Sequence, residues 1–254
     1  MFIDTHTHLY SEEFDDDRTE VITKAIENGV DRFFIPSIDS NHTDKMYDLE
    51  RQFPLNVFLM IGLHPCYVKE NYLDELAHVE TELTKHKFYA IGEIGIDLYW
   101  DKSTLEIQKK AFRFQIQLAK KHKLPINIHC RKAFDEIFEI LESEKSEDLF
   151  GIFHCFSGNL LQAKQAISLN MKLGIGGVVT FKNGQIDQFL NQIDIKNIVL
   201  ETDAPYLAPA PHRGKRNESL YTILVAQKLA AIYSLPLETI AHITTENAKN
   251  IFKI

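Results

Sequence analysis

Met1-Phe2-Ile3-Asp4-Thr5-His6-Thr7-His8-Leu9 opens the chain: an apolar run leads into two histidines one residue apart. In a strand, side chains alternate between faces, so His6 and His8 point the same way. Two imidazoles on one side of a strand end make half of a metal site, although a short polar loop with solvated histidines has the same spacing. The choice depends on whether the rest of the chain supplies further ligands.

Working outward, apolar runs recur. Asp31 to Pro36 is a second strand, Asn56 to Gly62 a third, and Phe88 to Gly92 a fourth that ends in Glu93. Pro125 to Ile128 ends in His129, Gly151 to Phe153 ends in His154, and Lys172 to Gly176 is a seventh run. Asn197 to Leu200 leads into Glu201-Thr202-Asp203. Helical stretches lie between them: Asp17 to Asn28, one from Ser40, one ending near His86, Thr104 to Lys121, one from Ala133, and Asn159 to Asn170. Two more close the chain, Ser219 to Ser234 and Leu237 to Phe252. Strands alternating with helices every 25 to 35 residues or so imply a parallel sheet. Eight such units predict an α/β fold, a (β/α)8 TIM barrel that fills residues 1–254 as a single domain. An open doubly wound sheet is the competitor, but no GxGxxG turn follows the first strand.

The ligand-type residues fall at the strand ends. His6 and His8 end the first strand, Glu93 the fourth, His129 the fifth, His154 the sixth and Asp203 the eighth. In a parallel barrel these ends open on one face, where active sites sit. Six nitrogen and oxygen donors exceed the three or four that hold one zinc ion, and suit two divalent ions with a carboxylate such as Glu93 between them. Zn²⁺, Mn²⁺ or Mg²⁺ would suit a donor set without thiolate. Cys130 and Cys155 each follow a ligand histidine, so alternation sends them to the opposite side, into core packing.

Composition sets outer bounds. The chain has 254 residues, 44% hydrophobic and 25% charged, with a formal net charge of -8. That charge gives no global attraction to nucleic acid or acidic membranes, so an anionic substrate must be met by a local patch or by bound cations. Three cysteines without a CxxC pair argue against a disulfide framework and fit a reducing compartment. No basic-then-apolar leader and no run of about 18 apolar residues stands out. A cytoplasmic protein without a membrane partner or obligate protein partner is expected.

Several motifs resemble the TatD family of metal-dependent deoxyribonucleases, within the amidohydrolase superfamily. They are Asp4-Thr5-His6-Thr7-His8, Gly62-Leu63-His64-Pro65, Gly92-Glu93-Ile94-Gly95-Ile96-Asp97, His154-Cys155-Phe156-Ser157-Gly158, Glu201-Thr202-Asp203-Ala204-Pro205-Tyr206-Leu207 and Pro211-His212-Arg213-Gly214-Lys215. The resemblance runs from Met1 to the closing helices. It implies a barrel hydrolase acting on phosphodiesters through a water activated by two metals. His6, His8, Glu93 and Asp203 match one metal site, and Glu93, His129 and His154 the other. Leu98 stands where an aromatic is common, and Lys132 where an acidic residue often follows the arginine. Both departures bear on substrate preference.

Asp203 is the candidate proton acceptor, with Glu93 as the second catalytic carboxylate; a pure ligand or helix N-cap is the alternative for Asp203. His64 points at the same mouth and would meet a phosphate oxygen, unless His-Pro only shapes a turn. Arg131 suits bidentate phosphate contact or a surface ion pair. His212 and Arg213, in a basic run through Arg216, lie after the eighth strand, where barrels often build phosphate sites. Tyr206 and Trp100, in loops on the same face, would stack on bases or simply pack within their loops. DNA, as single strands or ends, is the expected substrate, attacked as by an exonuclease. Hydrolysis of a small ester, amide or phosphoester on the same barrel is the alternative, because fold does not fix function. A protein holding its metal only structurally fits poorly, because structural sites are normally closed.

Overall fold

A computed structural model describes residues Met1–Ile254. The strands are β1 (Phe2–Asp4), β2 (Val30–Ile35), β3 (Val57–Leu59), β4 (Ile91–Asp97), β5 (Ile126–Arg131), β6 (Gly151–Phe153), β7 (Met171–Ile175) and β8 (Ile198–Leu200). Between and after them run α1 (Arg18–Glu27), α2 (Thr43–Gln52), α3 (Tyr72–Lys85), α4 (Leu105–His122), α5 (Phe134–Ser143), α6 (Leu160–Ser168), α7 (Thr222–Tyr233) and α8 (Leu237–Phe252). Every pairing is parallel, in the order β1-β2-β3 and β4-β5-β6-β7-β8.

Backbone bonds cross both seams between these sheets. Gly92 N–H donates to Ile61 O at 2.8 Å and Tyr89 N–H to Leu59 O at 2.9 Å, joining β3 to β4. Thr5 N–H donates to Leu200 O at 3.0 Å, and its hydroxyl to the same oxygen at 2.9 Å, joining β8 to the end of β1. The strands therefore close into the expected barrel, with no edge strand left unpaired.

Alternation sorts the side chains. Phe33 and Ile35 of β2 join the cluster under the helices, while Phe34 faces inward with Ile3, Met60, Ala90, Ile152 and Val199. The inward layer packs on Ala248, Ile251 and Phe252 of α8, and Phe252 stacks on Phe34 with ring centroids 3.6 Å apart. The last turn of α8 thus plugs the N-terminal end of the barrel. With that end sealed by hydrocarbon, polar residues on the same inward rows are left for the opposite end.

Several local expectations are revised. β7 and β8 are joined by four short 3-10 turns, from Gly177–Thr180 to Ile195–Asn197, a stretch to which the sequence reading assigns no helix. Ile186, Leu190, Ile193 and Ile195 still bury there, so that side of the barrel is covered. β4 and β5 run past their expected ends, which places Glu93 and His129 inside strands. The register of β4 on β5 shifts between Ile91 and Ile94, a bulge at Gly92–Glu93 of the kind found beside active sites. Asp17 makes no capping bond to α1; its carboxylate binds the Arg216 guanidinium at 2.8 and 2.7 Å. Asn159 does cap α6, in a reciprocal box with Gln162. No single helix is long and apolar enough to cross a membrane.

Candidate metal centre

All six expected ligands meet at the C-terminal mouth of the barrel. His6 and His8 leave β1 on backbone tied to the strand-eight side: Asp203 N–H donates to His6 O at 2.9 Å, and His8 N–H to Ala204 O at 2.7 Å. Their Nε2 atoms are 3.2 Å apart. Asp203 Oδ1 lies 3.6 Å from His6 Nε2 and 3.5 Å from His8 Nε2, and Glu93 Oε2 lies 3.3 and 3.6 Å from the same pair. Asp203 adopts a positive φ of 59°, a conformation aspartate accepts more readily than bulky residues.

The other oxygen of Glu93 faces a different set. Its Oε1 is 2.7 Å from His129 Nδ1 and 3.1 Å from His154 Nε2. Glu93 is 2% exposed, so neither oxygen has bulk water as an alternative partner. The carboxylate thus stands between two groups of imidazole nitrogens.

Outer partners fix the rings. His6 Nδ1 meets Asn127 Oδ1 at 2.8 Å, His8 Nδ1 meets the Tyr10 hydroxyl at 3.1 Å, His129 Nε2 meets Asp97 Oδ2 at 2.8 Å, and His154 Nδ1 meets Glu201 Oε1 at 3.2 Å. Metal-ligating histidines are typically held in this way, with the distal N–H given to a carboxylate or carbonyl. The donor atoms of the six side chains therefore converge, in fixed orientations, in a buried space. That chemistry fits divalent cations and lacks any other source of compensating positive charge apart from protons.

Protonation reports the same compression. Burial alone would raise the Glu93 carboxyl, but the imidazoles of His154, His64 and His6 outweigh it and hold it well below the usual range. Burial would lower His154, yet the Glu93 and Glu201 carboxylates raise it well above the ordinary histidine value. His129 is likewise raised, against burial, by Asp97 and Glu93. Burial tends to raise Asp203, but the His8 hydrogen bond and the charges of His154 and His6 keep it low.

Asp97, Glu201, Asn127 and Tyr10 were not singled out in the sequence, although a signal existed for two of them. Glu201 lies two residues from both Val199 and Asp203, and Asn127 two from His129, so alternation places them on the inward rows. Glu201 Oε1 also accepts Cys155 N–H at 2.6 Å. Gly174 gives Glu201 room: a Cβ there would sit 2.1 Å from Glu201 Oε2. Asp4 is buried beneath, accepting Thr202 N–H at 2.9 Å and its hydroxyl at 2.6 Å.

The centre opens into a cavity of about 650 Å³. His64, Arg131, Tyr206 and Trp100 line it. The Arg131 guanidinium lies 3.8 Å from the Tyr99 ring and 5.4 Å from Trp100, a cation–π contact that holds it at the rim. His212 and Arg213 do not line the cavity. His212 stacks on Tyr221 at 4.1 Å, and Arg213 covers Phe181 at 3.5 Å. Arg216 is taken up by Asp17 and Glu218, so the basic run is partly neutralised within its own loop. Cys155 is also corrected: with β6 ended at Phe153, and φ at 44°, alternation lapses and Cys155 lines the cavity. Cys130 packs on the core edge and reaches the cavity too.

A closed parallel barrel with imidazole and carboxylate donors gathered at its open face is the build of a metal-dependent hydrolase. A family model described as TatD related DNase matches residues 3–253, and the chain belongs to that family. It is 40% identical, over the full length of both chains, to the uncharacterized metal-dependent hydrolase YabD of Bacillus subtilis. It is 30% identical to the uncharacterized metal-dependent hydrolase YcfH of Escherichia coli, covering 100% of this chain and 96% of that one. The crystal structure of YjjV, a TatD homolog from Escherichia coli, superposes with a TM-score of 0.94 at 27% identity, covering 100% of this chain and 98% of that one.

Proposed function

We propose that this hydrolase is a two-metal phosphodiesterase that shortens DNA from a single-stranded end. One observation carries the metal count: the two oxygens of Glu93 face separate donor sets, Oε2 towards His6 and His8 with Asp203 close by, Oε1 towards His129 and His154. His6, His8, Glu93 and Asp203 would hold one ion, and Glu93, His129 and His154 the other. Bound there, such ions lower the pKa of water towards neutrality and offset phosphate charge.

The chain's own residues supply the rest. Asp203, kept ionised and open to the cavity, takes the proton from the attacking water. Glu93 holds both halves of the centre in register. Arg131, oriented by Tyr99 and Trp100, brings the positive charge that an acidic chain needs near a phosphate. Exposed Tyr206 and Trp100 offer faces on which bases stack. A cavity of this size houses a small ligand, which supports a reading in which the splayed end of a strand enters it.

The test strips the protein of metal and follows end-labelled single-stranded DNA after Mg²⁺, Mn²⁺ or Zn²⁺ is restored, beside Asp203→Asn. Stepwise shortening that requires the ion and vanishes in the variant is expected. Intact DNA and RNA together with turnover of a small ester or amide would transfer the protein to the alternative substrate class.

A further inference from the structure

The rings of His6, His129 and His154 share a polarity that His64, on the same cavity wall, reverses. In those three, the outer nitrogen faces an oxygen acceptor, namely Asn127 Oδ1, Asp97 Oδ2 and Glu201 Oε1. When such a ring is neutral, the outer nitrogen carries the proton and the inner nitrogen presents the lone pair. At His64, the outer nitrogen Nδ1 meets the backbone N–H of Cys66 at 3.1 Å. An amide N–H can only donate, so Nδ1 is the bare nitrogen and the neutral ring carries its proton on Nε2.

That Nε2 stands 3.2 Å from His129 Nδ1 and 3.4 Å from Glu93 Oε1. By distance alone, His64, Glu93 and His129 would pass as three ligands of one ion. The tautomer argues otherwise. If Nε2 gave a lone pair to a cation, the ring proton would have to move to Nδ1, where it would oppose the Cys66 N–H. The local fold holds this arrangement: His64 caps the short turn Pro65–Tyr67 through its own ring, and Pro65 fixes the backbone of the first turn residue.

We propose that His64 is a fixed Nε2–H donor beside the metal centre and not a ligand, and that this N–H binds a phosphoryl oxygen of the substrate. Without a cation, Nε2–H has the Glu93 carboxylate as its acceptor. Were that oxygen taken up by a bound cation, the donor would face the cavity and need a new acceptor. A neutral imidazole N–H in a site shielded from water gains strength as charge grows on that oxygen, in the manner of an oxyanion-hole donor. The identity of the oxygen rests on the phosphodiester reading; the tautomer and the exclusion from the ligand set do not.

The experiment combines three readouts on the full-length, metal-loaded protein. Long-range ¹H–¹⁵N correlation should show His64 with Nδ1 bare and Nε2 protonated. Equilibrium dialysis should find the same metal content in wild type, His64→Ala and His64→Gln. Binding of inorganic phosphate, used as the probe, should weaken about tenfold or more in His64→Ala, with partial recovery in His64→Gln, whose amide N–H reaches a similar place. On DNA, loss of one such donor should cost about 10²-fold in kcat. A ring protonated on Nδ1, metal lost from His64→Ala, or phosphate affinity unchanged in His64→Ala would each overturn the proposal. If DNA stays intact, the nuclease reading fails alone, because the correlation spectrum, the metal content and the phosphate affinity still decide the role of His64.

Discussion

At the mouth of the barrel, the chemistry is set by which nitrogen of each ring is left bare. Asp97 settles this for His129, at 2.8 Å from Nε2. In Asp97→Asn the amide can turn its N–H₂ to that nitrogen, which favours the tautomer protonated on Nδ1 and removes the inward lone pair. Affinity at the His129–His154 half should fall about 10- to 100-fold, read by titration with Mn²⁺ or Zn²⁺, while the fold stays intact by circular dichroism. Unchanged affinity would mean that Asp97 has no hold on the ring. Asp4 gives a second test. Burial raises its carboxyl from 3.8 to about 7, against the bonds from Thr202. The folded chain therefore keeps a proton that the unfolded chain releases, so the Asp4 contribution is full below about pH 4 and is lost as pH rises to about 7. Relative to Asp4→Asn, metal-free wild type should lose stability across that window in urea melts. A difference that does not vary with pH would contradict the assignment.

At the level of elements, period two made most of the site legible. It placed His6, His8, His129, His154 and Asp203 at one end of a barrel before any coordinates, because inward rows on parallel strands share a direction. The failures lie where the chain leaves that period. The bulge at Gly92–Glu93 depends on pairing with β5, and the left-handed turn at Cys155 follows a strand that stops at Phe153; neither has a local sequence mark. The outer partners were missed for another reason: alternation turns Glu201 inward, but Glu201 and Asp97 look like any carboxylate until the ring beside them is placed. The basic run at His212–Arg216 read as a phosphate site because its partners Asp17, Phe181 and Tyr221 are distant in sequence. Two elements can be probed. Phe252→Ala removes the ring that plugs the barrel on Phe34 and should cost about 3–5 kcal/mol, lowering Tm by about 6–20 °C. Gly174→Ala sets a methyl where Glu201 Oε2 lies, and should weaken metal binding through His154; intact binding would show that Glu201 can move aside freely.

For the whole molecule, two opposite ends divide the work. One is sealed by the last turn of α8, and the other gathers charge that only cations or protons can balance. Metal loading must therefore release protons, because His154 and His129 are held above the ordinary histidine value by the same carboxylates that would bind the ions. Calorimetric titrations in two buffers of different ionisation enthalpy should show net proton release at pH 7, and affinity should fall as pH is lowered. Binding without proton release would mean that the metal-free rings are already neutral. The most direct measurement is anomalous diffraction from crystals of the metal-loaded protein, recorded on both sides of the absorption edge of Zn²⁺ or Mn²⁺. Two peaks are expected, one on each carboxylate oxygen of Glu93, the first shared with His6, His8 and Asp203 and the second with His129 and His154. A single peak, or one ligated by His64 Nε2, would contradict the account.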